Sequence, residues 1–217
     1  MHDFPSIGRR GLLGLATTAF VVASFRNPAD AQTVNAAAST APIQRLDAAL
    51  LAAMRAGPGM SFAQRSATLA PVIEQTFDLD AILAASVGLR WPALPDDQKA
   101  QVSAAFRRYT VASYAANFNR YTGQTFQLSP SVRSVGNGEV IVQTKFVSAD
   151  GSATPLDYVM RDSQSGWKAV DVLADGAISR VAVQRSDFRG LLTSGGIPAL
   201  MAGLRSKVAN LSGGMNT

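Results

Sequence analysis

The stretch Gly166–Leu192, GWKAVDVLADGAISRVAVQRSDFRGLL, decides how the chain is read. Ser165-Gly166 is a turn signal, and Trp167–Leu173 has the β-branched enrichment of a strand. Ala174-Asp175-Gly176 marks a bend. Ile178–Val183 continues as a second apolar-rich segment, and Arg185, Phe188 and a short helix close the stretch. Strand alternation puts Asp171 on the face that carries Trp167 and Ala169. A carboxylate on a half-buried strand requires a hydrogen-bond donor or water. Ser179, Arg180 and Arg185 follow the bend closely enough to supply one. Two roles fit Asp171: a pin holding the sheet to the next helix, or a lone general base.

Upstream of this stretch the apolar period is two. Thr125–Val135 reads as a strand interrupted at Pro130, and Asn137-Gly138 is a strong hairpin signal. Val140–Ser148 follows, with Val142, Thr144 and Phe146 on one face. Asp150-Gly151 turns into Leu156–Arg161, where Tyr158 and Met160 share a face. With the Trp167 strand these make a four-stranded antiparallel meander.

Further upstream the period becomes helical. Ile43, Leu46, Leu50 and Met54 form one stripe, stopped by Gly57-Pro58-Gly59. Ser61–Gln64 has the form of a capping box before Leu69, Val72, Ile73 and Phe77, with Pro71 as a candidate kink. Asp78 caps a third helix that buries Ile82, Leu83 and Val87 and stops at Gly88. Pro95-Asp96-Asp97-Gln98 opens the longest helix, whose stripe runs from Val102 and Phe106 through Tyr114 and Phe118 to Tyr121 and ends at Gly123. After Gly195-Gly196 a last helix carries Ile197, Leu200, Leu204 and Leu211. Helices, then strands, then a helix predict a single α+β domain over 43–211. Helices laid over one face of such a sheet are expected to enclose an apolar pocket.

Residues 1–31 read as a cleaved signal: Arg9-Arg10, an apolar stretch from Leu12 to Phe25, and Ala29-Asp30-Ala31 as a small-x-small site. The arginine pair leaves the general secretory and twin-arginine routes both open. Residues 32–42 then read as a flexible lead and 212–217 as a tail. No cysteine follows the cleavage site, so no lipid anchor is attached there, and the mature chain is expected in the periplasm. The full chain has 20 basic and 15 acidic residues, a net of +5. Cleavage removes three basic and two acidic residues and leaves about +4. The basic residues are scattered, with Arg107-Arg108 the one mature pair, so nucleic acid is not an expected partner. Arg107, Arg108, Arg120, Arg180 and Arg189 are candidates for a docking face.

The chain has no cysteine, and its single histidine, His2, lies in the signal. Ser-His and Cys-His catalysis are therefore excluded, as is a zinc site on nitrogen or sulfur ligands. No nucleotide loop of the form GxxxxGK[ST] or GxGxxG occurs, so neither a nucleotide nor a cofactor is expected. Asp78, Asp80, Asp96 and Asp97 all stand at helix starts, where capping explains them.

Phe77–Trp91, FDLDAILAASVGLRW, is followed by Phe106, Tyr114 and Tyr121-Thr122-Gly123, then Asp157-Tyr158, Trp167-Lys168-Ala169-Val170-Asp171, Asp175-Gly176-Ala177-Ile178-Ser179, Arg185 and Phe188. This ordered set resembles the MlaC and toluene-tolerance family of periplasmic phospholipid-binding proteins, over roughly residues 43–211. The resemblance implies a soluble carrier that holds acyl tails in an apolar pocket and performs no catalysis. It implies exchange of lipid with an inner-membrane complex of an MCE-domain protein and an ABC-type ATPase, and with an outer-membrane lipoprotein–porin complex. On that reading Trp91, Tyr114, Phe118, Tyr121 and Tyr158 are expected at the lipid. Val142, Phe146 and Met160 are expected from the middle strands, and Val170, Val172, Phe188 and Leu192 from the deciding stretch. Leu200 and Leu204 complete the expected wall, with Asp171, Ser179 and Arg185 as structural polar groups. Val170 and Gln184 stand where the family commonly has aromatics, which would reshape the pocket. A hopanoid-associated, HpnM-like subtype carrying a polycyclic lipid is one alternative. A small α+β enzyme using Asp171 is another, and a regulatory interaction module is a third.

Overall fold

The computed structural model describes residues 28–213. Nearly all of the expected signal segment 1–31 and most of the expected tail 212–217 lie outside the described residues. The helices are α1 (Pro28–Ala56), α2 (Phe62–Thr76), α3 (Leu79–Val87), α4 (Asp96–Asn117) and α5 (Arg180–Leu211). The strands are β1 (Thr125–Gly136), β2 (Glu139–Val147), β3 (Ala153–Ser163), β4 (Gly166–Ala174) and β5 (Ile178–Ser179). They form one antiparallel sheet in the order β1-β2-β3-β4-β5, an α+β architecture in a single domain.

Local sequence explains most boundaries. The capping box forms at α2: Gln64 N donates to Ser61 Oγ at 3.2 Å, and Ser61 N donates to Gln64 Oε1 at 2.9 Å. Asp78 Oδ1 accepts from Ala81 N at 3.0 Å and so caps α3. Asn137 and Gly138 both take positive φ, 53° and 73°, as the tight β1–β2 hairpin demands. The helices pack over the sheet face carrying Val140, Val142, Tyr158, Met160 and Ala169, which join Ile43, Leu46, Leu50, Leu69, Ile73 and Phe106 in one core.

Four expectations fail, each for a physical reason. Residues 32–42 are not a flexible lead, because α1 already runs through them and continues past Pro42. Alanine is the strongest helix former, and Thr40 Oγ1 donates back to Ala36 O at 2.9 Å. Ser39 and Thr40 are buried, so small residues rather than an apolar stripe form this contact. The sheet has five strands, not four. Ile178–Val183 is a strand for two residues only, because Ser179 Oγ accepts from Ala182 N at 3.0 Å and starts α5 at Arg180. The helix expected to be the longest, α4, ends at Asn117, not Gly123, because Phe118 leaves the helical conformation (φ −108°, ψ 59°). Tyr121 therefore lies beyond it, and α1 and α5 are both longer. Trp167, Ala169 and Asp171 do not alternate regularly. A bulge sets Met160 opposite Ala169 but Val159 opposite Asp171, leaving Val170 as the extra residue and Asp171 out of phase.

The strand β4 is the hub. On one side it pairs with β3. On the other its end pairs with β5, while Ala169 bridges to Phe77 between α2 and α3. Asp78 N donates to Ala169 O at 2.9 Å, and Lys168 Nζ donates to Glu74 O at 3.1 Å. Helix α5 bends at Gly195-Gly196, where Gly196 adopts φ +64°, and folds back so that Lys207 reaches Asp187 at 3.3 Å. No helix among the described residues is long and apolar enough to cross a membrane.

A buried arginine ties the helical layer. Arg65, 6 % exposed, donates to Met60 O at 2.8 Å, Gly57 O at 3.1 Å and Ala115 O at 3.3 Å. It thereby satisfies carbonyls near the C-terminal ends of α1 and α4, where the helix dipole favours a cation. Truncation would leave buried carbonyls without donors. Arg65→Met is expected to lower stability in urea denaturation by about 3 kcal/mol, and Arg65→Lys to recover only part of it, because an ammonium lacks the fork geometry.

Candidate functional site

One face of α4 builds a wall. Phe106, Tyr109, Ser113, Tyr114, Asn117 and Phe118 recur at helical spacing along it. Opposite stand Leu156 and Tyr158 from β3, and Asp171, Val172 and Ala174 from β4. Phe77, Leu79 and Ile82 close one side, and Arg180, Val181 and Gln184 of α5 close the other. Between them lies a cavity of about 410 Å³. Its lining is mixed rather than wholly apolar.

Aromatic rings form a continuous band that starts in this wall and runs behind it to Phe126 and Phe146. Phe77 meets Tyr114 at 5.7 Å and Tyr158 at 6.2 Å between ring centres. Tyr114 stacks on Phe118 at 5.8 Å, and Phe118 meets Phe126 and Phe146 at 6.1 and 6.0 Å. Each such pair adds attraction beyond its buried area, so the band stiffens the wall.

The polar corner is held by Asp171. Oδ1 accepts from Val172 N at 2.7 Å and Val181 N at 3.1 Å, and Oδ2 accepts from Ser179 Oγ. Ser179 Oγ in turn accepts from Ala182 N. One carboxylate and one hydroxyl thus satisfy the first amides of α5 and join that helix to β4. Arg185 is not part of this set. Its guanidinium lies against Gly88, where a Cβ would come within 3.1 Å of Nη2. That close approach, together with φ +75°, is what requires glycine there.

Of the residues expected at the lipid, Tyr114, Phe118, Tyr158 and Val172 meet at this cavity. Phe146 stands one ring behind. Val142, Met160, Phe188, Leu200 and Leu204 are fully buried core, and Leu192 is buried while its carbonyl accepts from Arg90 at 3.1 Å. Trp91 packs on the edge of that core, and Val170 is the bulge residue. Tyr121 is exposed, with the Arg55 guanidinium 5.2 Å over its ring. Sequence reasoning missed Thr110, Ser113 and Asn117, and it read Arg180 as a docking or Asp171-binding group rather than as part of the cavity. The signal was present, because Phe106, Thr110, Ser113 and Asn117 keep helical spacing with Tyr114. Their polarity hid them from an apolar search. Gln184, noted above as a departure, lines the cavity and accepts from Ser86 Oγ at 3.3 Å.

It also missed Asp47 on α1, a buried carboxyl. Burial alone pushes it up to about 7 from the ordinary 3.8. Its Oδ1 is enclosed and meets no hydrogen-bond donor among the described residues. Tyr114 and Tyr158 are raised above the usual phenol range, first by burial. The Asp47 charge adds to both, after the neighbouring Tyr114 in the case of Tyr158, while Arg180 opposes the shift of Tyr114.

A larger groove, about 670 Å³, opens on the other side of α4 between α2 and α5. It carries Arg107, Arg108 and Arg205 and holds none of the residues expected at a lipid. Among the described residues no group of three or more His, Cys, Asp or Glu could hold a metal ion.

The family model described as MlaC protein matches residues 44–206. The chain belongs to the MlaC family. A solved structure supports the fold independently: the phospholipid-binding protein from Ralstonia solanacearum, in complex with a phospholipid, superposes with a TM-score of 0.68 at 22 % identity. The match covers 80 % of this chain and 98 % of that one. The family match takes in α4, the sheet and the start of α5, elements that wall the 410 Å³ cavity of this MlaC-family chain.

Two stability measurements test this reading of the polar groups. Asp171→Ala is expected to cost about 2 kcal/mol in chemical denaturation, with loss of amide exchange protection at Val181 and Ala182. For Asp47 the folded carboxyl keeps its proton to higher pH than the unfolded one. Stability should therefore fall as pH rises from about 4 to about 7 and level off above that. Asp47→Asn should remove that slope. The variant's advantage over the parent is expected to grow from near zero at pH about 4 to on the order of 3 kcal/mol at pH about 8.

Proposed function

We propose that this MlaC-family chain is a periplasmic lipid carrier that holds phospholipid acyl tails in the cavity between α4 and β3–β4. The observation that carries the reading is the cavity itself, walled by Phe77, Tyr114, Phe118, Tyr158 and Val172 on a fold shared with a phospholipid-binding protein. Each methylene moved from water to an apolar wall contributes about 0.8 kcal/mol, so a long tail gains far more than a transient encounter needs. Its volume falls in the range of small-molecule sites. Arg180 is a cation at the α5 border of the cavity, suited to a lipid phosphate left facing solvent.

In this proposal the leader 1–31 is removed on export, and the carrier exchanges lipid with inner-membrane MCE-domain and ABC-type complexes and with an outer-membrane lipoprotein–porin complex. Arg107 and Arg108, on the groove side of α4, suit an acidic docking partner. Catalysis by Asp171 is disfavoured, because three donors already occupy its carboxylate.

The test is native mass spectrometry on protein purified from its own periplasm. Near-stoichiometric diacyl phospholipid is expected, and hopanoid masses without phospholipid would assign the cargo to the polycyclic alternative. Ser113→Trp, which fills the cavity from α4, should lower the bound lipid several-fold while leaving the circular dichroism spectrum unchanged. Undiminished lipid in that variant would place the cargo elsewhere. Val142→Glu, by contrast, strikes the core and should unfold the domain.

A further inference from the structure

The cavity between α4 and β3–β4 has two unlike sides. Its β3–β4 wall presents Leu156, Tyr158 and Val172, while its other side ends in the slot between α4 and α5. That slot starts where Phe106 meets Phe188 edge-on at 6.2 Å, both rings buried. From there the lining follows α4 through Thr110, Ser113 and Asn117, and follows α5 back through Gln184 to Arg180. Exposure rises along it: Ser113 is half-buried, and Asn117 and Arg180 are exposed. Two of these side chains are engaged. Thr110 Oγ1 donates to Phe106 O at 3.0 Å, and Gln184 Oε1 accepts from Ser86 Oγ, which leaves the Gln184 amide nitrogen to donate. Ser113, Asn117 and Arg180 make no hydrogen bond or ion pair among the described residues. A strip of hydroxyl, amide and guanidinium groups therefore lines one side of the cavity without protein partners of its own.

We propose that this strip reads the lipid headgroup, and that it selects a phospholipid whose headgroup carries hydroxyls and no amine, of the phosphatidylglycerol type. The inference rests on the carrier reading and narrows its cargo. Arg180 takes the phosphodiester, since a guanidinium matches phosphate in charge and in fork geometry. Ser113 and Asn117 stand four residues apart on one face of α4. Each offers both a donor and an acceptor, as a glycerol hydroxyl does, so the partners can pair either way round. An ammonium headgroup fares worse. It donates only, and it stands beside the Arg180 cation. It also meets no unengaged carboxylate: Asp171, the one acidic side chain in the lining, already accepts from Val172 N, Val181 N and Ser179 Oγ.

The test uses the full exported chain, stripped of endogenous lipid. It is offered an equimolar mixture of phosphatidylglycerol, phosphatidylmethanol and phosphatidylethanolamine with identical tails, and the bound ratios are read by mass spectrometry. The parent protein is expected to hold phosphatidylglycerol about five- to tenfold over phosphatidylethanolamine, the range of one net hydrogen bond. Phosphatidylmethanol has the charge but no hydroxyl, and a preference of about threefold or more over it is expected. Arg180→Gln should bring the first ratio to about unity. Ser113→Ala combined with Asn117→Leu should do the same to the second. None of the three positions lies in the core, so both variants keep the fold. The ratios are internal to each sample, so a change in total uptake does not move them. Equal uptake of phosphatidylglycerol and either competitor by the parent protein overturns the proposal. So does either preference that survives in the variant meant to remove it. Uptake of none of the three lipids overturns the carrier reading itself.

Discussion

The structure turns on the carboxylate of Asp171. Its two oxygens hold the amides of Val172 and Val181 and the hydroxyl of Ser179, so one side chain ties β4 to the first turn of α5. The same strand takes the α2–α3 joint two residues earlier, through the Ala169 carbonyl and the Asp78 amide. Every element that walls the cavity, apart from α4, is anchored to β4 directly or through β3. The helix α4 is held instead by Arg65 from beneath and by packing on α5. Loss of the Asp171 contacts would free the N-terminal turn of α5, and with it Arg180, Val181 and Gln184.

Much of this was legible in the sequence because its causes are local. The capping box at Ser61, the cap at Asp78, the Asn137-Gly138 hairpin and the break at Gly195-Gly196 are each written in two to four neighbouring residues. The bulge at Val170 was not legible, because it depends on the register against Val159 and Met160. Without it, alternation misplaced Asp171, although the need of that carboxylate for donors had been correctly read. Residues 32–42 were misjudged for a related reason. Alanine and serine carry no periodic signal, and their burial follows from what α1 packs against.

The site was legible in part. Aromatic residues led to Tyr114, Phe118 and Tyr158, because large rings at helical or strand spacing must be stacked on something. Large aliphatic residues misled: Val142, Met160, Leu200 and Leu204 fill the core completely and leave nothing open. Hydrophobicity does not separate a residue that lines a space from one that fills it. The polar members of the α4 face distinguish the cavity from the core, and polarity is what an apolar search discards.

The two borders of the sheet carry a further consequence. An open strand border offers unpaired amides and carbonyls to any other extended chain, and proteins guard against such pairing. Here one border is interrupted by Pro130 and two register shifts in β1. The other is shared between the two residues of β5 and the bridge at Phe77. Neither presents a long flat template. A chain without a single cysteine to staple it therefore has a backbone built against strand-by-strand self-association.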